Sequence, residues 1–296
     1  MPEFSVVPAR DIAGCAATVP LQEETWSGDV VVPPQLMLAV VHNGGFVALG
    51  YAAGDDLKPA GFVFGFLGIY DYHFRHHSHM LAVREPHRGS GLAQKLKEAQ
   101  RDHCLDQGIE TVAWTMDPLE ARNARFNFGK LGAFTRTYHR DFYGPMPDKL
   151  NQGLPSDRIY VEWPIGHERT YKRLRGEDRP PSLDEAEAEG IEYLLRAESG
   201  RPSAVRAPRG ASHLLLEVPR TFQELKAHDG AAALAWRLAA RDAFERAFAE
   251  GYAAVEFLRS AAGRGAYLLV QQPRRGDEGA EPPREAAQQH TGTKPR

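Results

Sequence analysis

The sequence predicts an α/β (α+β) protein, and three observations carry that reading. Met80 to Val83 is a short apolar run, followed by a glycine-bearing turn and then by helical periodicity as far as Gln107, so strand, glycine loop and helix come in that order. Further short apolar runs at 36–41, 46–52 and 60–69 are set off by Asn, Gly, Asp and Pro, the punctuation of strands. Gly108 stands where a helix C-cap glycine belongs, ahead of an apolar run from Ile109 to Met116.

In chain order, Phe4 to Pro8 reads as a first strand. Asp11 is the N-cap of a helix through Ile12, Ala16, Val19 and Leu21, closed by Trp26 and the Pro33-Pro34 pair. Leu36 to Val41, Asn43-Gly44-Gly45 and Phe46 to Ala52 read as a β-hairpin, and Ala60 to Ile69 as a strand after the polar turn from Gly54 to Pro59. Behind the central helix, Ile109 to Met116 is a strand, Arg122 to Gly132 a helix, and Ala133 to Phe142 and Arg158 to Trp163 two more strands.

The glycine loop has the chemistry of an anion site. First-turn N–H groups of a helix lack acceptors within the helix, and the helix dipole puts partial positive charge there. Gly89 and Gly91 let a phosphate approach the backbone, and Arg88, with Arg84 as a second candidate, can add charge-assisted hydrogen bonds. The loop is neither a dinucleotide fingerprint nor a Walker A loop.

Arg88 to Ala93 matches R/Q-x-x-G-x-G/A, with Val83-x-x-Pro86-x-Arg88 before it, and so resembles the acetyl-CoA-binding motif of the GNAT N-acyltransferase superfamily. Arg122 to Gly132 resembles, in part, the N-x-x-A-x-x-F-Y-x-K-x-G-F helix that closes the GNAT fold. Ala124, Lys130 and Gly132 keep its register, while Ala121 and Asn127 replace its Asn and Phe. The resemblance covers residues 1–166 and implies a mixed, mostly antiparallel central sheet flanked by helices. His77-Ser78-His79-Met80, Trp114 to Leu119, Tyr143-Gly144 and Asp157-Arg158 further resemble a group of larger predicted acetyltransferases that carry a C-terminal extension.

Residues 167–189 are charged, hold Pro180-Pro181 and read as a linker with room for one helical turn. In 190–272, Ser212 to Val218 echoes Ser78 to Val83, and a helix over 230–250 followed by Gly251 to Val255 echoes the first helix and Gly108 to Val112. That echo predicts a degenerate GNAT-like half without the CoA motif, with chance likeness of two βαβ units as the alternative. Leu234, Leu238, Phe244 and Phe248 lie along one side of the second helix, an apolar stripe that needs a partner surface. Residues 273–296 are polar and Pro-rich and are expected to be disordered.

The resemblance implies direct attack of an amine on an acyl-CoA thioester, with the pantetheine arm between the strands ending near Val83 and Met116. Backbone N–H groups of Leu81, Ala82 and Val83 would polarise the thioester carbonyl. Those of Arg88, Gly89, Ser90, Gly91, Leu92 and Ala93 would hold the pyrophosphate, with Asn123 as an added cofactor contact. For the base that takes the amine's proton, His77 and His79 share a strand face, Asp117 competes, and packing is the bland alternative for each. Phe128 stands where many of these enzymes have a tyrosine that protonates the departing thiolate. Tyr143 is the first replacement, with Tyr138, Tyr160 or a water behind it. Strand alternation turns His76 away from His77 and His79, which argues against a metal site.

The chain's 296 residues, 42% hydrophobic and 25% charged, allow a sizeable core. A net charge of −3 argues against nucleic acid as main partner. Cys15 and Cys104 are too few for a disulfide framework, no apolar run approaches a membrane span, and a cytoplasmic setting is expected. The expected function is acyl-CoA-dependent N-acyl transfer, acetyl by default and succinyl as an extension, to a small amine or amino acid. The cosubstrate is acetyl-CoA or another acyl-CoA, no metal is needed, and a homodimer is admitted. The alternative class is a catalytically silent CoA-binding or interaction module. The acceptor pocket is expected in the loops at 21–35, 70–76 and 142–156.

Overall fold

The computed structural model describes residues 3–26, 31–54, 58–70, 72–145, 153–206 and 210–272. Strand β1 (Phe4–Pro8) leads to Asp11, whose carboxylate accepts from the Gly14 amide at 2.8 Å and caps α1 (Ile12–Ala16). A break at Ala17 and Thr18 makes the single expected helix two, because α2 (Val19–Trp26) starts afresh with Pro20 in its first turn, where a missing N–H costs nothing. The arm expected as the first strand of a hairpin is instead α3 (Pro34–His42). Its six apolar residues in a row fit either element by period, and Pro34 at the start decides for helix. Asn43-Gly44-Gly45 then terminates it, the Gly45 amide donating to the Val40 carbonyl at 2.9 Å.

Next come β2 (Phe46–Ala52), β3 (Gly61–Tyr70), β4 (His73–Val83), α4 (Leu92–Asp106), β5 (Thr111–Met116) and α5 (Ala121–Ala124), which runs into a π-helical segment over Arg125–Lys130. β6 (Phe134–His139) and β7 (Arg158–Pro164) complete the first half. The stretch read as a linker holds two helices, α6 (Glu168–Arg175) and α7 (Leu183–Ala188). Its charges are used for docking rather than solvation: Arg169 and Arg173 both converge on Glu256, and Ser182 with Glu185 forms a capping box. The second half contains β8 (Glu192–Leu195), β9 (Ala197–Glu198), β10 (Arg201–Pro202), β11 (His213–Val218), α8 (Phe222–His228), α9 (Gly230–Ala249), β12 (Tyr252–Arg259) and β13 (Gly265–Gln271). Residues 273–296, expected to be disordered, lie outside the described residues.

Among the described residues, strands from both halves form one mixed, mostly antiparallel sheet in the order β1-β2-β3-β4-β5-β7-β6-β12-β13-β11-β8. The halves meet where Ala254 of β12 pairs with Thr135 of β6. β11, α9 and β12 follow one another as the echo predicted, but β13 lies between β11 and β12 and is antiparallel to both. β4 and β5, by contrast, pair directly. The second half therefore repeats the order of elements and not the strand pairing of a GNAT-like half.

α9 docks on the first half through part of the expected stripe, Phe244 and Phe248, and otherwise through residues beside it. Leu234 and Leu238 are 40% and 46% exposed, whereas Ala233, Trp236, Arg237, Ala240, Phe244 and Ala247 are buried. Small alanines let the helix approach closely, and two arginines one turn apart fix its position. Arg237 grips Asp117 with contacts of 2.8 and 2.5 Å, and Arg241 grips Asp157 at 2.8 and 2.7 Å. Tyr138 stacks on Phe244, and Met116, Phe128, Trp236, Tyr252 and Tyr267 share one apolar cluster.

Removing one member of a buried ion pair strands the other, at a cost of about 3–5 kcal/mol. Arg237→Ala should therefore lower stability by about that amount. Urea denaturation should show one shared transition for Trp163 in the first half and Trp236 in the second. Separate transitions would mean that the halves do not share a core.

Candidate active site

The site is organised by a fork in the sheet. β4 and β5 run parallel but pair only at His76↔Val112 and His77↔Ala113, and beyond those pairs they part. A bulge adds to the divergence: the register with β3 passes from Phe64↔Met80 to Gly65↔Ser78, leaving His79 as the extra residue. From Ser78 to Val83, Leu81 and Ala82 included, the β5-facing backbone of β4 has no β5 partner. This is the gap in which the sequence placed a pantetheine arm.

The glycine loop lies just past the Val83 end of β4. Gly89 and Gly91 hold φ of +80° and +97°, a left-handed conformation that disfavours side chains, and a Cβ on either would meet nothing within 4 Å. Gly91 is the N-cap of α4, so Leu92 and Ala93 present unpaired first-turn amides to this open cradle. Leu92 is fully buried and seats the helix start against the sheet. Ser90 donates to the His87 carbonyl at 2.6 Å, and Arg88 is folded back on the Val83 carbonyl at 3.1 Å. Arg84 is not free for an anion as expected, because Glu24 of α2 holds it through two bonds of 2.8 and 3.0 Å.

On the face of the sheet away from α4, His77 and His79 stand together with ring centroids 6.0 Å apart, both against Phe66. Loss of solvation pushes both imidazoles below their ordinary range, His77 to about 4, with repulsion from His79 and Lys97 adding to its shift. Both are therefore neutral at pH 7 and have a lone pair available. Tyr143 reaches the same face from the loop after β6, its hydroxyl 2.9 Å from Thr115 Oγ1 and its ring under the Arg158 guanidinium. Further along, Tyr70 stacks on Tyr160, Arg75 covers both rings, and Glu162 sits between Arg75 at 2.7 Å and Arg136 at 3.4 Å.

Two sequence candidates, Asp117 and Tyr138, are redirected. Asp117, offered as a competing base, has both oxygens on Arg237 and also accepts from the Leu119 amide, so it anchors the second half. Asn123 lies exposed on α5, while its buried neighbour Asn127 points to Met116 Sδ at 3.1 Å. Phe128 is fully buried, edge-on to Tyr267, in the core shared by the halves. Tyr138 is likewise turned away, bonded to Asp157 at 2.7 Å beneath α9.

Sequence reasoning missed a polar cluster on the α4 face of the fork. Lys97 is buried, donating to Ser78 Oγ at 3.1 Å and Gln100 Oε1 at 2.7 Å, with its ammonium 4.0 Å from the Trp114 ring and 5.2 Å from that of Trp163. Gln100 also meets His76 Nε2 at 3.2 Å. Desolvation lowers Lys97 to about 7 and His76 to about 3. One signal was present: Ala93, Lys97, Gln100 and Cys104 fall on one stripe of α4, which puts a lysine on an inward face.

Residues 11–132 match the model of the acetyltransferase (GNAT) family. They form a GNAT acetyltransferase domain. No curated protein matches the chain. Among solved structures, the NatC complex bound to Gag peptide and CoA is similar at 18% identity, covering 55% of this chain and 98% of that one, with a TM-score of 0.44. Arabidopsis thaliana Naa50 in complex with the bisubstrate analogue CoA-Ac-MVNAL gives 18%, 54% and 97%, and 0.42. The ribosomal-protein-S18-alanine N-acetyltransferase from Escherichia coli gives 16%, 56% and 96%, and 0.43. The GNAT domain has α4 and its glycine loop at its centre, and the fork beside them.

Two outcomes are expected. Gly91→Glu places a strained, negatively charged side chain at the helix start and should weaken CoA binding about thirtyfold, the ~2 kcal/mol scale of charge at a helix N-terminus. Calorimetry on the folded variant checks this. The second concerns pH: Lys97 keeps its proton up to about 10.5 when unfolded and releases it near 7 when folded, so unfolding takes up a proton between those values. Its contribution to stability therefore rises with pH across that window. Urea midpoints should rise more steeply from pH 7 to 10 in the wild type than in Lys97→Met.

Proposed function

We propose that this N-acyltransferase moves an acetyl group from acetyl-CoA to the primary amine of a small molecule that also carries a carboxylate, an amino acid or a close relative. The observation that carries the reading is the fork: an unpaired strand edge leads from the phosphate cradle at Gly89 to Ala93 down to a bulge flanked by His77 and His79. The amides of Leu81, Ala82 and Val83 are the donors suited to the thioester oxygen, and His79, with His77 beside it, takes the proton of the attacking amine. Neutral imidazoles suit that task, since a protonated ring could not accept. Tyr143, on the same face, is the side chain suited to managing protons at the acceptor end. Two arginines sharing the single Glu162 carboxylate leave positive charge on the acceptor face, which supports a carboxylate-bearing acceptor.

Phe128 motivated the alternative of a silent CoA-binding module. Its place in the core explains the residue by packing, so its identity says little about turnover. The deciding experiment measures CoA release from acetyl-CoA and succinyl-CoA with a panel of amino acids, simple amines and peptides. Turnover with amino acids is expected. Turnover with peptides alone would overturn the acceptor class, and CoA binding without any turnover would favour the silent module.

Within that reading, His79→Ala should lower kcat/KM by about 10² to 10⁴, and the loss should shrink as pH rises and the amine loses its proton unaided. Tyr143→Phe is the paired variant, expected to lower kcat with little change in KM for acetyl-CoA. Near-normal activity in both His77→Ala and His79→Ala at neutral pH would remove the histidines from the base role.

A further inference from the structure

A fully buried lysine among uncharged partners needs an explanation, because an ammonium taken out of water costs several kcal/mol unless a carboxylate compensates. Among the described residues, none lies within salt-bridge reach of Lys97. The groups that face it are Ser78, His76 and His77 from β4, Gln100 and Cys104 from α4, Trp114 from β5 and Trp163 from β7. Its place is as telling as its partners. His77 and Ala113 form the last pair before β4 and β5 part, and the next residues, Ser78 and Trp114, are both in contact with Lys97. The lysine lies under the apex of the fork.

We infer that Ser78 protonates the departing CoA sulfur and that Lys97, acting through Ser78, supplies the proton. This rests on the reading of the fork as the channel for the thioester arm. The amine nitrogen bonds to the thioester carbon, and the intermediate collapses with cleavage of the C–S bond, its electron pair going to sulfur. Sulfur takes the Ser78 hydroxyl proton as Ser78 takes one from the Lys97 ammonium, leaving free CoA thiol and a neutral lysine. The amine's own proton leaves through His79 or His77 to solvent, and Lys97 regains one from solvent through the open fork. A lysine that titrates near neutrality, as burial makes this one, can give up a proton and recover it within a turnover.

The test uses the full chain and two variants. Lys97→Met keeps the bulk and removes the charge, while Ser78→Ala breaks the link with minimal change in packing and serves if the first variant does not fold. Each should lower kcat about 10²-fold with KM for acetyl-CoA within about twofold. Wild-type kcat should fall above pH ~7 as the donor empties, and that fall should be missing from the residual activity of Lys97→Met. A second readout needs no turnover: the thiol of bound CoA, followed by thiolate absorbance, should ionise at lower pH in the wild type than in Lys97→Met. Wild type inactive with every amine would count against the acyltransferase reading, and the bound-thiol titration would still decide the role of the Lys97–Ser78 pair. Folded variants with kcat within about threefold of wild type, or the same bound-thiol titration in all three proteins, would overturn the inference.

Discussion

Two residue pairs, His76↔Val112 and His77↔Ala113, are all that join β4 to β5, and the candidate site depends on how few they are. Had the ladder continued, the backbone of β4 from Ser78 to Val83 would be spent on its neighbour. Because it stops, polar main-chain groups face a gap at the centre of a sheet, where they require a partner. Strand alternation sends His76 and Ser78 to α4 and His77 and His79 to the other face, and the bulge at His79 then shifts the register with β3 by one residue. The two faces of one strand thus separate the groups suited to the acceptor from those suited to the leaving group.

The second half of the chain bears on this geometry from a distance. Asp117 and Asp157 stand just beyond one end of β5 and just before β7, and α9 clamps both with arginines spaced one turn apart. The clamp fixes the strand ends that border the fork, as β12 extends the sheet past β6. Such pairing of buried charges sets position more than it adds stability. Glu256 does the same for α6, holding Arg169 and Arg173 against β12.

Much of the fold was legible in the sequence because its signals are local. The glycine loop, the α4 helix, Asp11 as a cap and the strands at 4–8, 46–52, 109–116 and 158–163 depend on residues close in sequence. The failures share a physical cause. Six apolar residues in a row carry no period, so α3 was misread as a strand; charged residues that pair across elements look like solvated ones, so α6 and α7 were read as a linker. Alanine buries well but scores weakly, so the expected docking face of α9 joins Leu234 and Leu238, which are exposed, to Phe244 and Phe248, which pack in the core. At the site, the loop and the two histidines could be found from a motif and from alternation. Lys97 could not be singled out without knowing which strands part and where. Asp117 looks like a base until its partner, 120 positions later, is in view.

The edge-on contact of Phe128 with Tyr267 also bears on how this enzyme could be altered. A hydroxyl added at residue 128 would enter a close-packed aromatic cluster in which the Tyr267 hydroxyl already bonds the Pro118 carbonyl. It would arrive as a buried hydroxyl that needs a partner within that cluster. A tyrosine at residue 128 would thus put a polar group into the seam between the halves, so the packing that joins them also constrains what residue 128 can be.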